Sequence, residues 1–395
     1  MTSDGMWGAL AGVRVLDLSQ ALAGPYCAQM LADHGADVIK VEPPSGDMGR
    51  QIGGYRDDDS ERAFGALFQN CNRNKRSIVL DLKTPEGKET LLALADQADV
   101  LVENFRAGVM DRLGFSYEVL SARNPKLVYA AIRGFGDPRS GRSPYVDRPA
   151  FDLVAQAMGG IVSTTGADAP VPIGAPWGDT VPAIMTAYGI ALALLSVKTT
   201  GKGQFVDVSM VDAIASLCHE LYQAYSYKNA VPRPHSNRNR HLVPFGIFKA
   251  ADGWVAVCAP HRPQWIELCR VMQRPDLVDD ARFATDAARR ANAVEIEAIV
   301  EAFTTLHTRK QLDDMIDGSF PFGPVFDAHD IMTDEHFRSR DMWVSLEQPG
   351  SGPVTVPGVP VKLSQTPGRV DRRAPRLGEH TAAILAELRA GKKIG

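Results

Sequence analysis

"VRVLDLSQALAGPYCAQMLADHGADVIKVE", residues 13–42, reads as strand, turn, helix and strand. Residues 13–18 are a short β-rich run, and Ala23-Gly24-Pro25 make a turn. Pro25 suits an early helical position, where a missing N–H costs nothing. Residues 26–35 then favour helix, and 36–42 return to branched apolar residues. The unit repeats in kind further along. Residues 77–82 form a strand-like run before Thr84-Pro85, a cap and first-turn pair; 87–98 favour helix, 99–105 strand, and 127–136 another strand. Such β-α-β alternation predicts an α/β fold built on an open, parallel, doubly wound, Rossmann-like sheet.

After about residue 225 the character changes. The polar, basic stretch 228–241 reads as a linker or loop, 245–259 as a hairpin turning at Asp252-Gly253, and 263–318 as helical. Short strands return at 343–348 and 352–363, and 376–391 close the chain as a helix. The expected organisation is a large domain from residues 1–200 with 330–395, a linker helix region at 201–227, and a smaller inserted α+β domain at 228–329.

Of the 395 residues, 45% are hydrophobic and 23% charged, which provides an ample core. The net charge of −4 argues against a broad nucleic-acid footprint. Cys27, Cys71, Cys218, Cys258 and Cys269 are scattered, with no pairing pattern and no metal-ligand spacing. They suggest a reducing, cytoplasmic setting and no metal site. The N-terminus lacks the basic start of a signal peptide. The apolar run near 183–197 is too short and interrupted to span a bilayer and reads as a buried helix, so no membrane partner is expected.

Two features invite chemistry. In "PIGAPWGDTVPAIMTAYGIALALL" (172–195) a single carboxylate, Asp179, opens an almost wholly apolar helix pattern. Asp is a strong N-cap, so a purely structural role is open. A helix N-terminus also favours an ionised carboxylate, which a nucleophile needs. Basic residues cluster at Arg73, Lys75, Arg76 and Lys83, then Arg106 and Arg112. They read either as a solvated surface or as a site for a phosphorylated ligand at the strand ends. The first βα turn has one Gly followed by Pro, which argues against a dinucleotide fingerprint. There is no P-loop, no G-x-S-x-G and no H-E-x-x-H.

Taken in order, residues 22–50, 72–89, 98–115, "PAFDLVAQAMGG" (149–160), "GAPWGDTVP" (174–182) and 200–213 resemble class III CoA-transferases of the CaiB/BaiF type. "NRH" (239–241), "PFGIF", "ADGW" and "LGEHT" continue the likeness over nearly the whole chain. The resemblance implies that CoA moves from an acyl-CoA, with succinyl-CoA a candidate donor, to a small carboxylic acid. Transfer would use no ATP and no permanently bound cofactor. Asp179 would be the covalent nucleophile, with amides at Gly178 and the helix start stabilising oxyanions. CoA contacts would fall on Ala21, Leu22, Ala23, Leu80, Lys83, Asn104, Phe105, Arg106 and Arg112. Asp152 marks an acidic position near the site, or else a helix N-cap. Arg148 is a candidate for a substrate carboxylate and His241 for the pocket lining. Leu22 and Pro43 depart from the formyl-CoA members. A homodimer of interlocked chains is implied as well, with the partner's middle domain completing the pocket.

Two rival readings remain. The related alpha-methylacyl-CoA racemases use a His opposite an Asp, but this chain has "VDRPAFD" where they carry that His. A non-catalytic acyl-CoA binder is the other.

Overall fold

The computed structural model describes residues 7–167, 169–234, 236–239, 241–350 and 352–391. The chain divides into two compact units. One comprises Met1–Ile161, Ile173–Tyr222 and Glu335–Gly395; the other comprises Val162–Pro172 and Gln223–Asp334. The short segment Val162–Pro172 carries no sequence signal for its place in the second unit.

Six strands organise the first unit: β1 (Arg14–Asp17), β2 (Asp37–Glu42), β3 (Arg76–Val79), β4 (Val100–Glu103), β5 (Val128–Arg133) and β6 (Phe205–Ser209). All pair parallel, in the order β3-β2-β1-β4-β5-β6. The strands alternate their side chains between two cores. Val15, Val38, Val100, Val102 and Ile132 face one side, while Leu16, Ile39, Ile78, Leu101 and Tyr129 face the other. Burial on both faces explains why these strands read as continuous apolar runs. The strand order reverses between β1 and β4, and open α/β sheets form a ligand crevice at such a point, outside the carboxyl ends of the strands.

Eight helices of this unit matter below: α1 (Ala23–Asp33), α2 (Ala66–Asn72), α3 (Pro85–Ala95), α4 (Val109–Leu113), α5 (Tyr117–Arg123), α6 (Asp152–Met158), α7 (Trp177–Thr200) and α8 (Met210–Leu217). The region 201–227, expected as linker helix, holds β6, which extends the sheet beyond β5, followed by α8 and a further helix at His219–Lys228. Strands Trp343–Gln348 and Gly352–Pro357 pair with each other as a separate antiparallel two-stranded sheet. In the second unit Phe245–Ala250, Gly253–Cys258 and Phe322–Pro324 form an antiparallel sheet over a core that includes Phe248, Trp265 and Phe283.

Helix α7 corrects one expectation. It runs 24 residues and is long and apolar enough, by composition, to cross a membrane. In the fold it is partly buried. Pro182, Ala183, Thr186, Ile190 and Ala193 are buried, and the helix packs on α1, β5 and β6. Ile184, Tyr188, Leu192 and Leu195 are exposed on its other side.

The basic cluster also resolves. Arg73, Lys75 and Arg76 form neither a solvated surface nor a ligand site; they are internal ties. Lys75 is fully buried, with Nζ 2.7 Å from Asp17 Oδ2 and 2.8 Å from both the Pro25 carbonyl and Asn72 Oδ1. Arg73 pairs with Asp33 at 2.6 Å, and Arg76 reaches Asp37 and Glu387 at 2.7 and 2.9 Å. Removing one partner of a buried ion pair strands the other, at a cost of about 3–5 kcal/mol. Lys75→Met should lose stability of that order in urea unfolding, although it restores apolar volume. A loss under about 1 kcal/mol would contradict this role.

Candidate active site

A cleft of about 250 Å³ lies at the switch point beyond β1 and β4. Residues 20–23 after β1 and 104–107 after β4 form two of its walls. Asn104 joins these walls: its Oδ1 accepts from Gln20 N–H and its Nδ2 donates to Gln20 O, both at 2.8 Å. The Asn104 amide thus aligns the Gln20 peptide and shapes the cleft wall. Ala21 sits in the left-handed region at φ 64°, a conformation that costs a non-glycine residue roughly 1–2 kcal/mol. Asp47 holds it there. Asp47 Oδ1 accepts from the amides of Ala21 (2.9 Å) and Gly49 (2.7 Å), and Oδ2 pairs with the buried Lys40 at 2.8 Å.

The second wall is clamped in the same manner. Glu103 Oε2 accepts from Phe105 N–H at 2.8 Å, and Arg133 Nε donates to Phe105 O at 3.2 Å. Arg133 also bonds the buried Glu103 carboxylate. Burial pushes the Glu103 carboxyl up to about 7 against the opposing pull of Arg133. Ala21, Leu22, Ala23, Asn104, Phe105, Arg106 and Arg148 all line the cleft, as does Asp179.

The opening of α7 decides what Asp179 does. It is not the cap. The N-cap position is Pro176, and Asp179 lies within the first turn. Capping falls to Asp152, whose Oδ1 accepts from Gly178 N–H at 2.7 Å. Asp152 is in turn held by Gln156 Nε2, at 3.1 and 2.9 Å to its two oxygens, and Gln156 Oε1 accepts from Ile173 N–H at 2.9 Å. Residue 178 must be glycine for this approach, since a Cβ there would lie 2.2 Å from the Asp152 carbonyl oxygen. Asp152 thus caps α7 from the first turn of α6, rather than capping α6 itself.

Asp179 is left half-buried in the cleft, and no described residue hydrogen-bonds or ion-pairs its carboxylate. Burial first, and the Asp152 charge second, push its carboxyl up to about 7. The sequence pointed the other way. A helix N-terminus contributes only about 0.3–1 kcal/mol to an anion, whereas a single pKa unit is worth about 1.4 kcal/mol. The oxyanion expectation changes as well: Gly178 N–H is taken by Asp152, and the amides of Asp179 and Thr180 both donate to Pro176 O.

Other expected residues lie elsewhere. Leu80 is buried in the core beside β3, Lys83 is exposed just beyond it, and Arg112 is exposed on α4; none lines the cleft. His241 belongs to the second unit, exposed, with its amide bonded to Asn239 Oδ1 at 2.8 Å. Sequence reasoning missed Gln156, Arg133 and the Lys40–Asp47 pair. Two had legible signals: a Lys inside the apolar strand "DVIKVE", and a Gln four residues after Asp152 on one helix face.

A family model described as CoA-transferase family III matches residues 10–381. The chain belongs to that family. It is 42% identical to the succinyl-CoA:mesaconate CoA-transferase of Haloarcula hispanica, across 97% of each chain. With the succinate–glutarate CoA-transferase of Agrobacterium fabrum it shares 35% identity over 96% of this chain and 95% of the relative. A solved CAIB/BAIF family protein from Brucella suis superposes with a TM-score of 0.87 at 34% identity, covering 97% of this chain and all of that one. The family III enzyme transfers CoA from an acyl-CoA to a carboxylic acid.

The Asp179 environment sets a pH dependence. If catalysis needs the ionised Asp179 carboxylate, kcat/KM should rise with pH through an apparent pKa of about 7. Asp152→Asn keeps an acceptor for Gly178 N–H but removes the neighbouring charge, so that limb should shift to lower pH. Stability follows the same titration with opposite sign. Between about pH 4 and 7 the folded Asp179 holds a proton that the unfolded chain has released, so its contribution falls as pH rises. Asp179→Asn should therefore melt at or above the native temperature at pH 8. A clearly lower melting point would contradict the unpartnered state of this carboxylate.

Proposed function

We propose that Asp179 carries CoA covalently between a succinyl-CoA-type donor and a dicarboxylic acceptor. The observation behind this reading is an unpartnered carboxylate at the switch-point cleft, relieved of capping by Asp152. The Asp179 carboxylate attacks the donor thioester carbonyl and expels CoA thiolate, leaving a mixed anhydride. The thiolate attacks the aspartyl carbonyl, releasing the donor acid and forming an aspartyl-CoA thioester. The acceptor carboxylate attacks that thioester and again frees the thiolate, which takes the acceptor's acyl carbon and regenerates Asp179. Each step exchanges one activated acyl bond for another, so no ATP is required. The named relatives use succinyl-CoA or succinate with mesaconate or glutarate, which supports the substrate class. No histidine stands among the described residues lining the cleft, so nothing there favours racemase chemistry.

We further propose a cytoplasmic homodimer. The described cysteines are all free, in keeping with a reducing compartment. The exposed apolar stripe of α7 adjoins a cavity of about 510 Å³ lined by Tyr26, Met30, Ile184, Tyr188 and Val359, and apolar surface of this kind marks an interface. Light scattering should give twice the chain mass, and Tyr188→Asp with Leu192→Asp should give a monomer. A native monomer of full activity would end the dimer proposal.

Incubation with an acyl-CoA and no acceptor should leave an activated acyl group on Asp179, which hydroxylamine converts to a hydroxamate on one peptide. Asp179→Asn should lose several orders of magnitude in turnover. Asp179→Ser, which cannot deamidate back to Asp, serves as the control. Full activity of both variants, with an unmodified native peptide, would refute the covalent route.

A further inference from the structure

We propose that Arg148 reads the second carboxylate of a dicarboxylic acceptor, with Tyr145 as its positioning residue; this rests on the transfer reading above. Three arginines line the cleft: Arg106, Arg133 and Arg148. Arg133 is committed, bonded to Glu103 and paired with Asp137. Arg148 pairs with no carboxylate among the described residues. Its guanidinium stacks 4.5 Å from the centroid of the Tyr145 ring, and that ring packs against Phe135 at 5.5 Å. The backbone enforces the stack. Arg148 N–H donates to Tyr145 O at 2.9 Å, closing a turn, and Pro149 restricts Arg148 to extended conformations.

Stacking orients a guanidinium without consuming its N–H donors, so Arg148 is held with its fork free for a carboxylate. The cleft creates the need for such a cation. Asp179 lines it, Asp152 and Glu103 stand behind its walls, and a second substrate carboxylate brought near these acids must be paired. The same lining includes Phe135, Val146, Phe151 and Met210, apolar surface suited to the carbon chain joining two carboxylates. A monocarboxylic acid has no group for Arg148.

The test is kinetic, at fixed glutaryl-CoA as donor, with succinate, monomethyl succinate and butyrate as acceptors. In a ping-pong reaction kcat/KM for the acid reports the second half alone. Arg148→Met should lower kcat/KM for succinate about 10- to 100-fold, the range of a charge-assisted contact, with little change for butyrate. Arg148→Lys, which keeps the charge but loses the fork, should fall between. Tyr145→Leu should raise the succinate KM several-fold while kcat holds. The melting temperature should stay near native in all three. A succinate loss below threefold, or an equal loss for butyrate, would overturn the assignment. If the native enzyme passes CoA to none of these acids, the transfer reading itself fails. If it does so and Arg148→Met keeps the native preference, only the role of Arg148 is lost.

Discussion

Four fully buried charges at the carboxyl end of β1 and β2 hold the rest in place: Asp17, Lys40, Lys75 and Asp47. Each ion costs several kcal/mol to bury, so they persist only as a mutually satisfied set. Although burial pushes the Asp17 carboxyl up, Lys40 and Lys75 hold it below the usual carboxylate range. The network spreads through backbone groups. Lys75 ties the Pro25 carbonyl at the start of α1 to Asn72 at the end of α2, Lys40 takes the Ser19 carbonyl, and Asp47 takes the Ala21 amide. The loop after β1 is thus suspended from charged side chains that never meet solvent. Its left-handed Ala21 is tolerated because the surroundings over-determine it.

From that fixed loop the order passes to the site. Asn104 transfers the position of Gln20 to the β4 loop, and Glu103 with Arg133 fixes the next peptide. On the far side of the cleft, Gln156 and Asp152 set the first turn of α7. Nearly every polar group near Asp179 is consumed in building walls. Among the described residues Asp179, like the unpaired Arg148, is an exception, and the exception is chemically useful. A carboxylate with no partner, partly withdrawn from water beside another acid, is destabilised in its charged form and correspondingly reactive as a base or nucleophile. The fold spends some stability to hold it, which is the usual relation between a functional site and its scaffold.

Helix α7 links this chemistry to the molecular surface. One face completes the core against β5 and β6, its first turn bears Asp179, and its outer face is an apolar stripe. A change at the outer face therefore acts on the same helix that presents Asp179.

The local pattern alone determined the class of fold. Strands buried on both faces and helices with caps leave a period and punctuation in the chain, as at 13–42 and 84–98, and the parallel sheet follows from them. The importance of Asp179 was also legible, since one carboxylate before an apolar helix is conspicuous. Only the tertiary structure decided what that carboxylate does. Whether it caps or is left free depends on Asp152, twenty-seven residues earlier, which reaches Gly178 because α6 and α7 pack closely enough to exclude a Cβ. The same holds for the basic cluster. Arg73, Lys75 and Arg76 look in sequence like a phosphate site, yet their partners Asp33, Asp17 and Asp37 lie on other elements. A charge carries no local mark of its partner. Periodicity is a property of neighbours along the chain, whereas compensation of a buried charge belongs to neighbours in space.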